Sequence, residues 1–99
     1  MKANLQEILG IDDVHGVLFF SQSGKILYYE FRTGAPDGFA DLNWSAIIPR
    51  FSKIEEGELV FARQRVYVRR SELGCLVVIM GWHATIAMVR LKSNAVLSL

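Results

Sequence analysis

The sequence predicts an α+β fold in which helices cover both faces of a β-sheet. Two apolar runs, Val17 to Phe20 and Cys75 to Met80, lack the apolar–polar alternation of a half-exposed strand. Each is therefore predicted to be a strand covered on both faces. Apolar residues also recur at helical spacing near both ends of the chain and in its middle. Together these patterns predict the element order αββαβββα.

The first three elements are a short helix and a hairpin. Residues 4–9 carry apolar side chains at helical spacing, and Gly10 is suited to end that helix. Residues 14–21 and 25–32 are rich in β-branched and aromatic side chains, and the polar stretch "SQSGK" supplies a glycine turn between them. This pattern predicts two antiparallel strands.

The middle of the chain predicts a loop followed by a helix. Residues 33–41 gather Gly, Pro and Asp, and Asp41 is suited to cap a helix over residues 42–53. An apolar stripe at helical spacing is formed by Trp44, Ile47, Ile48 and Phe51. Because Pro49 removes a backbone hydrogen bond, this helix is predicted to be bent or short.

The stretch "ELVFARQRVYVRR", residues 58–70, alternates with period two on either side of a turn at residues 63–65. It predicts two strands, and the face of the second that carries Arg65, Tyr67 and Arg69 is assigned to solvent. A final helix follows the last strand. Its predicted contact face consists of Ala84, Ala87, Met88, Leu91 and Ala95.

Length and composition predict one domain over residues 1–99, with 52% hydrophobic residues and a net charge of +1. No apolar run approaches the roughly 20 residues of a membrane span. Acidic residues interrupt the N-terminal apolar stretch, so the sequence predicts a cytoplasmic protein without a secretory signal.

The charges are divided unequally along the chain. Residues 1–62 carry five basic and nine acidic groups, and residues 63–99 carry six basic groups and one acidic group. Such a dipolar chain is suited to bind a surface of opposite sign. A nucleic-acid partner is not predicted. Proteins that bind single strands combine several aromatic side chains with a basic groove, whereas this stretch has one tyrosine and the first half of the chain is acidic.

Motifs for catalysis, metals or cofactors are missing from the sequence. No glycine-rich phosphate loop occurs, and His15 and His83 are the only histidines. The single cysteine, Cys75, lies in a core-like strand and is predicted to be a buried hydrophobe. The sequence therefore predicts neither an enzyme nor a cofactor site.

Two long stretches, "DVHGVLFFSQSGKILYY" and "LVVIMGWHATIAMVRLKSNAVLSL", together with the element order, resemble the Roadblock family. This family includes dynein light chains and bacterial GTPase-regulator domains of profilin-like architecture. The resemblance implies a five-stranded antiparallel sheet with the first and last helices on one face and the middle helix on the other. The chain differs from the family pattern at Pro49 and at Trp82–His83.

The resemblance also implies a dimer in which third strands pair edge to edge and middle helices pack together. The pairing edge would lie at residues 58–63, and the implied interface residues are Trp44, Ile47, Ile48, Phe51, Glu58, Leu59, Val60 and Phe61. The implied function is a non-catalytic homodimeric adaptor that binds a Ras-like small GTPase or scaffolds a larger complex. Pairing with a different Roadblock chain and a profilin-like sensor of a small ligand are the alternatives.

A protein partner is predicted to contact the positive second half of the chain. Exposed charges steer association, and arginine and tyrosine are common anchors of interfaces. The predicted contacts are Arg65, Tyr67, Arg69 and Arg70. The alternative for the same residues is a solvated face of the sheet without a partner.

Overall fold

The computed structural model of the chain describes residues 2–32, 43–51, 53–61 and 63–97, without the side chains of residues 44, 45, 48 and 51. The predicted loop at residues 33–41 and the predicted cap Asp41 lie outside the described residues. The elements in chain order are α1 (Lys2–Leu9), β1 (Val14–Phe20), β2 (Ile26–Phe31), α2 (Trp44–Ile47), a 3-10 turn (Ile48–Phe51), β3 (Glu56–Val60), β4 (Arg65–Ser71), β5 (Gly74–Met80) and α3 (Ile86–Leu97).

The strands form one five-stranded sheet in the order β2-β1-β5-β4-β3, and every neighbouring pair is antiparallel. β5 lies at the centre and all of its residues are buried. In β1 every residue except His15 is buried. The predicted α+β class is therefore confirmed, as is the assignment of both apolar runs to strands covered on two sides.

Alternate residues of the inner strands belong to two different hydrophobic cores. Val78 and Phe19 join α1 and α3 in a first core on one face of the sheet. Val77 and Leu18 belong to a second core on the other face, against which Ile47 of α2 packs. The predicted arrangement, with two helices on one face and one on the other, is confirmed. Period-two alternation is what divides one strand between two cores.

The middle helix is shorter than the predicted range of 42–53. α2 completes one turn over Trp44–Ile47, and the chain continues as the 3-10 turn Ile48–Phe51. Pro49 has no N–H to donate to the carbonyl of Ser45, so α-helical hydrogen bonding stops at this point. The proline therefore shortens the helix, as the sequence predicted.

The predicted contact face of the last helix is wrong. The residues that α3 buries are Val89, Ser93 and Val96, whereas Met88 and Leu91 of the predicted face are 42% and 60% exposed. Burial of a serine in this face is possible because the Ser93 hydroxyl donates to the Val89 carbonyl at 2.6 Å. The sequence prediction passed over Ser93 because it counted only apolar side chains.

The alanines of the predicted face also show that α3 buries a different face. Ala84 is buried but precedes the helix, and Ala87 and Ala95 are exposed. None of the helices formed by the described residues is long and apolar enough to cross a membrane.

Candidate functional site at the open edge of the sheet

The third strand lies at one edge of the sheet and is displaced from the predicted edge at residues 58–63. It spans Glu56–Val60, so it begins two residues earlier than expected. It ends where the N–H of Phe61 donates to the carbonyl of Gln64 at 2.8 Å and closes a tight turn. Arg63 is an exposed residue of this turn and not part of the strand.

Backbone hydrogen bonds show which groups of β3 face away from the sheet. The carbonyl of Glu55 accepts from the N–H of Arg70 at 2.7 Å, and the N–H of Phe61 donates to Gln64. Bonds to a given neighbour alternate along an antiparallel strand, so the odd-numbered residues of β3 direct their backbone groups toward β4. The even-numbered residues 56, 58 and 60 direct theirs toward the open edge.

The side chains beside this edge are apolar at its C-terminal end. Leu59 is half-buried and packs against the second core. Val60 is 59% exposed and Phe61 is 49% exposed. Gly57 contributes no side chain. The edge therefore combines outward-facing backbone groups with exposed apolar surface, a combination that favours pairing with another strand.

Both acidic side chains of β3 have basic partners within the chain. The Glu56 carboxylate accepts from the Tyr67 hydroxyl at 2.6 Å and from Nε of Arg90 at 2.8 Å. Both hydrogen bonds lower the pKa of Glu56, and the bond from Tyr67 has the larger effect. Glu58 lies 3.6 Å from a guanidinium nitrogen of Arg65. Sequence reasoning missed Glu56 because the predicted strand began at residue 58.

The assignment of the Arg65, Tyr67 and Arg69 face to solvent is wrong. Tyr67 is only 1% exposed and belongs to the first core, beneath α1 and α3. Burial, and then the hydrogen bond to Glu56, raises the pKa of the Tyr67 hydroxyl. The alternation correctly predicted which side chains share a face. It could not predict that α3 covers this face, because β4 lies next to the central strand.

Arg65 joins β4 to the loop between β5 and α3. Its Nε and Nη2 donate to the carbonyl of Gly81 at 3.1 and 2.8 Å, and Nη2 also donates to the carbonyl of Ala84. Its guanidinium carbon lies 6.0 Å from the centre of the Trp82 ring, at the limit of a cation–π contact. The Trp82 side chain itself is 55% exposed.

The other two arginines of the predicted partner patch also have contacts within the chain. Arg69 donates to the side chain of Asn94 on α3. Arg70 is half-buried, and its backbone N–H is bonded to Glu55. Direct contact of a partner with Arg65, Tyr67, Arg69 or Arg70 stays a prediction, but the first three of these residues also hold the fold together.

A second polar feature, which the sequence did not reveal, is formed by Asp13, the residue directly before β1. Asp13 has a φ of 63°, and its carboxylate accepts from the backbone N–H of His83 at 2.8 Å and lies 3.0 Å from Nε2 of His15. The hydrogen bond from His83 is the main cause that lowers the pKa of Asp13. A Cβ added at Gly81 would approach the Asp13 carboxylate to 2.3 Å. No local pattern reveals this contact, because its partners are 70 residues apart.

The described residues contain no group of three or more His, Cys, Asp or Glu side chains placed to hold a metal ion. Cys75 is buried in β5, which confirms its predicted place in the core, and burial raises the pKa of its thiol. A surface groove of about 460 Å³ is lined by residues of α1, α3 and their adjoining loops, including Glu7, His83 and Lys92.

Solved structures of bacterial proteins share the architecture of this chain. A structure described as MglB with tetrameric arrangement is 16% identical, with a TM-score of 0.73 over 95% of this chain and 79% of its own. Gliding protein MglB from Thermus thermophilus is 16% identical, with a TM-score of 0.72 over 95% of this chain and 80% of its own. A Roadblock/LC7 domain from Streptomyces avermitilis is 11% identical, with a TM-score of 0.73 over 99% of this chain and 92% of its own.

No protein-family model and no curated protein matches the sequence. The likeness to solved structures extends over nearly the whole chain, and it includes a domain described as Roadblock/LC7. Sheet order, helix placement and the resemblance of the two sequence stretches agree with it. The chain therefore has the Roadblock/LC7 fold.

Proposed function

We propose that this chain is a non-catalytic cytoplasmic adaptor that forms a homodimer and binds a Ras-like small GTPase or scaffolds a larger complex. The observation that carries the proposal is the open edge of β3 within a Roadblock/LC7 fold. Among the described residues β3 pairs with β4 alone, and its outward backbone groups lie beside the exposed side chains of Val60 and Phe61.

The proposed dimer pairs β3 of two copies and brings their middle segments together above the sheet. The proposed interface comprises Trp44, Ile47, Ile48, Phe51, Glu58, Leu59, Val60 and Phe61. Ile47 and Leu59 both pack against the second core, so α2 lies on the face of the sheet toward which the Leu59 side chain points. The tetrameric arrangement of an MglB structure supports self-association by this fold.

The proposed GTPase partner rests on the sequence resemblance to bacterial GTPase-regulator domains and on the structural likeness to MglB. An adaptor role agrees with the chemistry of the described residues. The arginines of the second half bond to backbone carbonyls and side chains of the chain itself. None of these contacts resembles an activated nucleophile or a general base.

The experiment is affinity capture from the native cytoplasm with the tagged chain as bait. Parallel captures contain GDP or a non-hydrolysable GTP analogue, and an unrelated protein of similar size serves as control bait. We expect a Ras-like GTPase to be retained preferentially in one nucleotide state. Absence of any GTPase in both states would remove the GTPase partner from the proposal. The purified chain alone is expected to hydrolyse GTP at the background rate.

A further inference from the structure

We infer that two copies of this chain pair along β3 in one particular register, with Leu59 on the two-fold axis. This inference rests on the homodimer proposed above and specifies how its two edges meet. Two identical edges that pair antiparallel about a two-fold axis form an isologous contact. Residues that lie directly opposite each other in this pairing have their side chains on the same face of the sheet. A residue on the axis lies opposite the same residue of the second copy.

Charge excludes two of the possible registers. With Glu58 on the axis, the two Glu58 carboxylates would face each other directly. With Gly57 on the axis, Glu56 would oppose Glu58 of the second copy. Like charges directly opposite each other on a sheet are destabilising. Both registers therefore place acids against acids along the contact.

The turn excludes a third register. With Val60 on the axis, the N-terminal half of β3 would have to pair with residues 61–64 of the second copy. Within that stretch the N–H of Phe61 donates to the carbonyl of Gln64 and closes the tight turn between β3 and β4. A turn does not offer the extended backbone that a ladder requires. The register with Leu59 on the axis instead pairs residues 57–61 of both copies.

Side-chain shapes support the Leu59 register. Each Glu58 lies opposite Val60 of the second copy, and the even-numbered residues that face the open edge exchange backbone hydrogen bonds. Each Phe61 lies opposite Gly57 of the second copy, where no side chain competes for space. An aromatic ring that covers a glycine across two strands is a known stabilising device. The exposed surfaces of Val60 and Phe61 thus both gain a neighbour.

The register is tested by disulfide cross-linking of three variants, Leu59→Cys, Glu58→Cys and Val60→Cys. The native Cys75 is fully buried and serves as the internal control in the unmodified chain. In the inferred register, the Cα atoms of the two copies of residue 59 are about 4.5 Å apart, within disulfide range. The two copies of residue 58, and those of residue 60, are diagonal neighbours about 7–8 Å apart and too distant to bridge.

We expect Leu59→Cys to form covalent dimers on a non-reducing gel several times faster than the other two variants. Faster cross-linking of Glu58→Cys or of Val60→Cys would overturn the register. A dimer in light scattering without cross-linking of any variant would place the interface elsewhere and overturn the inference. A monomeric unmodified chain would overturn the proposed homodimer itself.

Mixed chains provide a second measurement, because loss of the leucine side chain could weaken the contact. A mixture of Gly57→Cys and Phe61→Cys chains should cross-link, since these positions oppose each other in the inferred register. In a mixture of Gly57→Cys and Leu59→Cys chains, the cysteines of the two different chains lie directly opposite each other only in the register with Glu58 on the axis. Because Leu59→Cys chains also cross-link with each other in the inferred register, one chain of each mixture carries a size tag and only the mixed product is scored. A mixed product that forms faster between Gly57→Cys and Leu59→Cys than between Gly57→Cys and Phe61→Cys would overturn the inference.

Discussion

At the scale of single residues, Asp13 carries an unusual combination of backbone strain and hydrogen bonding. Its φ of 63° lies in the left-handed region, which most residues other than glycine, asparagine and aspartate avoid. Its carboxylate accepts a hydrogen bond from the N–H of His83 and has His15 beside it. The loop before β1 is thereby tied to the loop before α3. The backbone N–H of Gly81 also donates to the carbonyl of Asp13 at 2.9 Å, so both the backbone and the side chain of Asp13 link the two loops.

Asp13→Ala is expected to destabilise the fold by about 3 kcal/mol. About 2 kcal/mol comes from loss of a hydrogen bond to a charged acceptor, and about 1 kcal/mol comes from an alanine forced into the left-handed region. Asp13→Asn is the matched control, since asparagine tolerates this conformation and keeps an acceptor, and it should cost about 1 kcal/mol. Urea unfolding at neutral pH measures both. Equal losses for the two variants would contradict the assigned role of the left-handed backbone.

The same pair of proteins tests the pH dependence of stability. Because the pKa of Asp13 is lowered in the folded state, its contribution is present above the unfolded pKa of about 4 and is lost as pH falls through the folded value. Glu56 has a lowered pKa as well, so the unmodified chain loses stability in acid through both groups. Asp13→Asn should therefore show a shallower loss of stability in acid than the unmodified chain.

At the scale of elements, α3 shows how tertiary contacts choose the buried face of a helix. Val89, Ser93 and Val96 are buried, at spacings of four and three residues. Met88 and Leu91 are larger apolar side chains, yet they face outward. The orientation agrees with the hydrogen bonds that Arg69 and Arg90 make with Asn94 and Glu56.

This orientation of α3 predicts that two truncations in the helix differ in their effect on stability. Val89→Ala should lower the free energy of unfolding by about 2 kcal/mol, because it removes buried methyl groups and leaves a cavity in the first core. Leu91→Ala removes more atoms, but from an exposed position, and should change stability by less than about 0.5 kcal/mol. Thermal or urea unfolding compares them. A larger loss for Leu91→Ala would mean that the sequence-based face was correct.

At the scale of the whole molecule, the sheet has two open edges with different surroundings among the described residues. The β2 edge has exposed Leu27 and Tyr29, and the β3 edge has exposed Val60 and Phe61. On β3 the acids Glu56 and Glu58 and the turn closed by Phe61 restrict how a second copy can align. The proposed self-pairing is therefore assigned to the β3 edge.

Val60→Glu is expected to shift the proposed dimer toward monomer, because it adds a third acid to the same face of the β3 edge as Glu56 and Glu58. Leu91→Glu is the matched control, since Leu91 is 60% exposed and Val60 is 59% exposed. Light scattering should give about twice the 11.2 kDa of one chain for the unmodified protein and for Leu91→Glu. Retention of the dimer in Val60→Glu, or its loss only in Leu91→Glu, would place the interface away from β3.

Local patterns in the sequence determined most of the secondary structure. The uninterrupted apolar runs predicted β1 and β5 as strands covered on both sides, and the glycine turn predicted the first hairpin. Pro49 predicted the short middle helix. These features depend on backbone geometry and nearest neighbours, which a single sequence contains.

Only the tertiary structure decided which element covers each face and which distant residues meet. Alternation placed Tyr67 and the two arginines on one side of β4 but could not show that α3 buries that side. The contact between Asp13 and His83 joins residues far apart in the chain. Such choices depend on packing area and hydrogen bonds summed over several elements, and no local window of sequence includes all of the contributing groups.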